Sequence, residues 1–159
     1  MQYTILCVGK IKETYYAGAV AEYTKRLSRY GKIEIIEVPD EKTPDRSSEA
    51  EALQIKETEA RRLLAKIRDN MYVIALDLKG KESDSVSFAE HLGRLMVQGK
   101  SHIAFVIGGS LGLHKSLLQR ADERLCFSKM TFPHQLMRVI LLEQLYRASR
   151  ILNHEPYHK

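Results

Sequence analysis

The chain has no tryptophan, only four prolines among 159 residues, and only two cysteines. Cys7 and Cys126 each sit in an apolar, strand-like run, far from any partner at zinc-finger spacing. Two isolated thiols exclude a disulfide framework and fit buried, reduced side chains in a cytoplasmic protein. No apolar run approaches the roughly 20 residues that a helix needs to cross a bilayer. The first ten residues, "MQYTILCVGK", carry no basic leader before their apolar run and no small-residue cleavage site after it. They suggest a strand rather than a secretory signal.

Charge of one sign is also scarce in places. The net charge is +5, but it collects at the ends. Residues 1–32 hold six Lys and Arg against two Glu, and residues 129–159 hold five against two. Two basic ends suit a polyanion, of which nucleic acid is the commonest. The alternative is a surface that is merely basic.

The length is one domain's worth, and the pattern is an alternation. "YTILCV" predicts a strand over 3–8. Tyr16, Val20, Tyr23 and Leu27 recur three to four apart and predict an amphipathic helix that ends at Gly31. "KIEIIEV" is a second strand, stopped by Pro39, and 40–47 is a polar loop. Ser48 is placed to cap a helix running to about Arg68. "MYVIALDL" and "HIAFVIG" are nearly continuous apolar runs, as expected of strands buried on both faces of a parallel sheet. A loop at 79–85 and a helix over 85–98 separate them. A short helix near 114–121, a short strand "RLCFS" and a long helix over about 134–152, opened by Pro133, complete the chain. The expectation is a single α/β domain over 1–159, a parallel sheet covered by helices. Ligands of such sheets bind beyond the C-terminal ends of the strands.

"FVIGGSLGLHKSLL" invites a phosphate-site reading, which its spacing does not support. Gly108, Gly109 and Gly112 give G-G-x-x-G, without the middle glycine of a dinucleotide fingerprint and after the fourth strand rather than the first. A P-loop fails too, because Leu113 stands where its second glycine belongs. What remains is a side-chain-free turn that a ligand can approach closely, or simply a tight turn needing φ > 0. It is expected to converge with the end of "ALDLKGK" and with "FSKMTFPHQ". Such a pocket, with few charges, suits a neutral nucleoside better than a triphosphate.

Those segments, "VIGGSLGLH" and "SKMTFPHQLMRVILLEQLYRA", together with the terminal "PYHK", resemble the RlmH family of SPOUT-class methyltransferases across essentially the whole chain. The resemblance implies a C-terminal trefoil knot, methylation of N3 of a pseudouridine in 23S ribosomal RNA of the assembled ribosome, and S-adenosylmethionine as methyl donor. It implies donor contacts from Leu76, Gly108, Phe127, Ser128, Lys129, Met130, Thr131 and Phe132. For the reaction itself the candidates are Tyr157, His158, Arg147 and Glu143. Glu143, Arg147 and Arg150 share a helix face, where an ordinary ion pair is the plainer expectation. A terminal Tyr-His-Lys is otherwise usually a frayed tail. The six histidines show no metal-ligand spacing, so no metal is expected; His134 is placed to cap the last helix. That helix is apolar nearly all round, from Leu136 to Ile151, which suggests a homodimer. Three rival readings stand beside this one: a non-catalytic ribosome-binding protein, a SPOUT enzyme acting on tRNA, and a small-molecule nucleotide-binding enzyme.

Overall fold

The computed structural model describes residues 1–159. Five strands alternate with five helices: β1 (Gln2–Val8), α1 (Thr14–Leu27), β2 (Lys32–Val38), α2 (Glu49–Leu64), β3 (Tyr72–Glu82), α3 (Ser85–Val97), β4 (His102–Ile107), α4 (Lys115–Arg120), β5 (Glu123–Cys126) and α5 (His134–Leu152). All strand pairings are parallel, in the order β2-β1-β4-β3-β5. The expected α/β class and alternation are therefore observed.

Side-chain alternation sorts the strands between two cores. Tyr3, Ile5 and Cys7, with Ile103, Phe105 and Ile107, face α1, α3 and α5. Leu6 and Val8, with Val73, Ala75, Ala104 and Val106, face α2 and α4. Both faces of β1, β3 and β4 are covered, which is why those strands are apolar at consecutive positions. Both cysteines are free and buried. No helix is long and apolar enough to cross a membrane.

Four expectations need correction. The first helix ends at Leu27 rather than Gly31, and α2 ends at Leu64 rather than near Arg68. Gly31 serves a different purpose: a Cβ there would collide with the Met1 carbonyl. β3 does not stop at Leu78. After an irregularity between Leu76 and Lys81 it resumes pairing with β5, Lys81 opposite Leu125 and Glu82 opposite Cys126. Residues 79–82 are polar because they extend past the covered part of the sheet. Finally, Pro133 occupies the N-cap of α5, which has no side-chain cap, so His134 does not cap it. His114 is the capping histidine, accepting from Ser116 N–H at 3.1 Å before α4.

α5 lies between α1 and α3. Its all-round apolar character is partly explained by that position: Leu141, Leu142, Leu145 and Ala148 are buried in the core shared with both neighbours. A second copy is not required to cover them.

Candidate functional site

The sheet order brings the ends of β4, β3 and β5 side by side, so the three segments singled out in the sequence leave adjacent strands. A cavity of about 590 Å³ opens at this end. Its apolar lining includes Val86, Phe88, Leu125, Phe127, Phe132 and Ile140; Ser83, Asp84, Ser85, Gln144 and His158 add polar groups. The volume lies within the roughly 300–1,000 Å³ of small-molecule sites, and the mix of apolar walls with few polar groups is typical of them.

The structure places the donor-site candidates unevenly around this space. Phe127 and Phe132 line it directly. Leu76 packs against the same core as Phe127 and pairs in register with Leu125, a lining residue. Ser128 shapes the turn that follows β5. Its hydroxyl accepts from Met130 N–H at 3.0 Å, and its carbonyl accepts from the Cys126 thiol at 3.1 Å. Lys129, Met130 and Thr131 are exposed on that turn, Met130 with 74% of its surface open.

Gly108 is not among the cavity's lining residues. It lacks a positive φ; Gly112 is the left-handed residue of this turn, at φ 85°. Gly108 is constrained by space instead, since a Cβ would lie 3.0 Å from the Gly112 carbonyl group and from Leu113 Cδ2. Gly109 is tight for another reason: its Cβ would meet the Glu59 carboxyl oxygens at 3.1 and 3.3 Å. The closest approach to this glycine comes from inside the protein.

The four reaction candidates form one connected group. Arg147 donates to Glu143 Oε1 from Nη2 at 2.7 Å and from Nε at 3.1 Å. The Tyr157 hydroxyl donates to the same oxygen at 3.1 Å, and the Arg147 guanidinium lies over the Tyr157 ring, 4.8 Å from its centroid. Arg147 Nη1 is 3.2 Å from His158 Nδ1. The hydrogen bond to Glu143 holds the arginine above its usual pKa. Burial, reinforced by the Glu143 carboxylate, pushes the Tyr157 phenol up to about 12.

The tail is folded back rather than frayed. Arg150 pairs with Glu155, accepts no part in the Glu143 cluster, and donates to the Pro156 carbonyl at 2.9 Å. Tyr30 donates to Glu155 at 2.8 Å. His154 takes a left-handed φ of 54°, which turns the chain off the end of α5 and returns it along the helix. The Tyr157 ring then packs edge-on against Tyr146, 4.9 Å between centroids.

Several lining residues escape sequence reasoning. Asp84 caps α3, accepting from Ser87 N–H at 2.7 Å, and Ser85 donates to Gln144 at 2.7 Å. The S-D-S sequence before an apolar helix is a capping signal. Nothing local marks it as a cavity wall.

A family described as predicted SPOUT methyltransferase matches residues 1–158. The chain belongs to the SPOUT methyltransferase family. It is 62% identical over its full length, and over the full length of the relative, to ribosomal RNA large subunit methyltransferase H 1 of Clostridium perfringens. A ribosomal RNA large subunit methyltransferase H from Clostridium tetani is 60% identical, again covering all of both chains. Among solved structures, a probable methylase family protein from Haemophilus influenzae Rd KW20 superposes with a TM-score of 0.51 at 15% identity, covering 96% of this chain and 66% of that one. That likeness supports the fold alone. For this SPOUT methyltransferase the cavity at the strand ends is the natural place to look for chemistry.

Proposed function

We infer that this SPOUT methyltransferase transfers a methyl group from S-adenosylmethionine to N3 of a pseudouridine in 23S ribosomal RNA of the assembled ribosome. It does so in the cytoplasm, as a homodimer of a single domain spanning residues 1–159, and without a metal. The observation that carries this reading is that one cavity is lined by Phe127 and Phe132, from the donor-site segment, and by His158, from the tail. The full-length relatives at 60–62% identity, named for large-subunit ribosomal RNA, support the choice of substrate. The trefoil knot belongs to the same proposal. Its support is the close passage of residues 77–80 over β5, where a Gly80 Cβ would lie 2.8 Å from the backbone of Arg124 and Leu125.

The cavity suits the donor by shape and polarity: apolar walls for an adenosine, and Ser83, Asp84 and Gln144 for its polar edges. Bound there, the sulfonium supplies an activated methyl, so the chain contributes position and electrostatics. The acceptor imide nitrogen must give up its proton as the new bond forms, and the charge spreads onto the flanking carbonyl oxygens. Arg147 is held beside the cavity wall by Glu143 and Tyr157, ready to face that charge. With His158 Nδ1 accepting from Arg147, the neutral imidazole carries its hydrogen on Nε2. His158 is therefore a donor to an acceptor-base oxygen, and the proton leaves to water.

Mass spectrometry of 23S RNA from cells lacking the gene tests the reading: the pseudouridine should lose its methyl group, and the purified protein with S-adenosylmethionine should restore it on ribosomes from those cells. An unaltered RNA, with no donor binding in calorimetry, would leave the ribosome-binding or nucleotide-binding alternatives. Methyl transfer to tRNA but not to ribosomes would select the tRNA alternative.

A further inference from the structure

Glu59 is an acid on the inner face of α2, which it shares with Ala60 and Leu63, and is only 5% exposed. Burying a carboxylate is costly unless it is well partnered. The side chain receives one hydrogen bond, from Glu41 N–H to Oε2 at 3.1 Å, and the nearby Arg62 guanidinium is taken up by Glu41 and the Pro39 carbonyl. An apolar residue would serve this helix face better, so the carboxylate points to a task other than stability.

Its neighbours identify the task. On one side it holds the loop 39–47 through Glu41 N–H. On the other, its oxygens lie against the backbone of Gly109, close enough that only glycine fits without displacement. The same two segments approach again at Thr43 and Ser110, whose hydroxyls are 3.5 Å apart. Glu59 thus stands beneath the turn Gly108–Gly112 and joins it to the loop after β2.

We propose that Glu59 is a positioning residue for methyl-donor binding: it sets the height and orientation of the glycine turn by joining it to the 39–47 loop. This rests on the function proposed above and on the donor contact at Gly108 that the family resemblance implies, the turn itself standing outside the lining of the cavity. The carboxyl faces Asp40 and Glu41 on the loop and Arg62 on its own helix, while Val8 and Gly109 bring no charge. Burial first, then Asp40 and Glu41, raise its pKa above the ordinary glutamate value. Protonation on the acid side weakens the bond that the carboxyl accepts from Glu41 N–H, and with it the tie between the 39–47 loop and the turn.

The experiment measures KM for S-adenosylmethionine, kcat on ribosomes, and calorimetric donor affinity for the native protein, Glu59→Gln and Gly109→Ala, between about pH 5 and 8. Replacing the carboxylate by a neutral amide removes the charge assistance of the bond from Glu41 N–H and predicts a KM rise of up to about tenfold in Glu59→Gln with kcat nearly unchanged. Donor affinity of the native protein should fall as pH drops through the raised Glu59 value, whereas Glu59→Gln should be flat there. Gly109→Ala approaches the contact from the other side and should raise KM similarly, with Glu59 intact. Melting temperatures separate these effects from unfolding. Native-like KM in both variants, or an acid loss of affinity that persists in Glu59→Gln, overturns the proposal. Failure of the native protein to bind the donor at all would instead overturn the function proposed above.

Discussion

Ending the chain at Pro156 removes three residues, of which Tyr157 and His158 close the Arg147 cluster. Tyr157 loses its hydroxyl bond to Glu143, its edge contact with Tyr146 and its place under Arg147, and His158 leaves the cavity wall. An aromatic pair contributes about 0.5–1.5 kcal/mol and a partly exposed cation–π contact about 0.5–1 kcal/mol. The hydroxyl bond adds about 1 kcal/mol, but these contacts share Tyr157 and do not add fully. A loss of about 2 kcal/mol follows, which for a domain of this size lowers Tm by about 4–8 °C. This is more than a frayed tail would cost. Donor affinity should change little, because Phe127, Phe132 and the lining residues Ser83–Val86 at the start of α3 remain. Methyl transfer should fall by orders of magnitude, because Arg147 loses both its stacking partner and its imidazole neighbour. Thermal melts, calorimetry with S-adenosylmethionine and a transfer assay on undermethylated ribosomes make the three measurements. Full transfer by the shortened chain refutes the reasoning. So does a fall in donor affinity as large as the fall in transfer.

Three other outcomes are expected. Gly108→Val should weaken donor binding in calorimetry and also lower the urea midpoint, since the added group must push against Gly112 and Leu113; a drop in stability of about 1–3 kcal/mol is expected for such overpacking. Arg138→Ala should cost about 3–5 kcal/mol in urea unfolding, because Arg138 is 1% exposed, pairs with Glu37 at 2.7 Å and bonds the carbonyls of Val8 and Gly9. Asp84 has its pKa lowered by the Ser87 backbone and hydroxyl, so its contribution to stability is complete above the ordinary aspartate range and disappears as pH falls through the lowered value. Asp84→Asn should therefore flatten the acid limb of a Tm-against-pH curve.

The strands buried on both faces were the most readable part of the sequence. "MYVIALDL" and "HIAFVIG" need apolar side chains at successive positions, and such runs have few other uses in a short chain. Ser48 was readable as a cap because its hydroxyl has a local job, accepting from Glu51 N–H at 3.2 Å. The second half of β3 was hidden because Lys81 and Glu82 pair through backbone while their side chains stay polar and exposed. At the site, the helix-face spacing of Glu143 and Arg147 foretold their ion pair, but only the reversal at His154 brings Tyr157 and His158 back to it. That reversal depends on Arg150 and Glu155 and on Tyr30, which lies far from both in the chain. Glu59 was invisible for a similar reason: an acid in a charged helix implies solvent until the packing of the Gly109 turn is known.

The strand order has a consequence for how this protein is made. β1 lies between β2 and β4, so it is synthesised with one neighbour close behind and the other some 95 residues downstream, counting from Val8 to His102. During that interval a nascent chain can form the β1–β2 pair with α1, yet it leaves one full edge of β1 without a partner. That edge belongs to a strand of which six consecutive residues become buried. An open apolar edge of this kind is a template for pairing with another chain. Stalled products ending before β4 should therefore be the adhesive ones, prone to aggregation and to capture by chaperones, whereas products that reach Ile107 have a partner for the first strand.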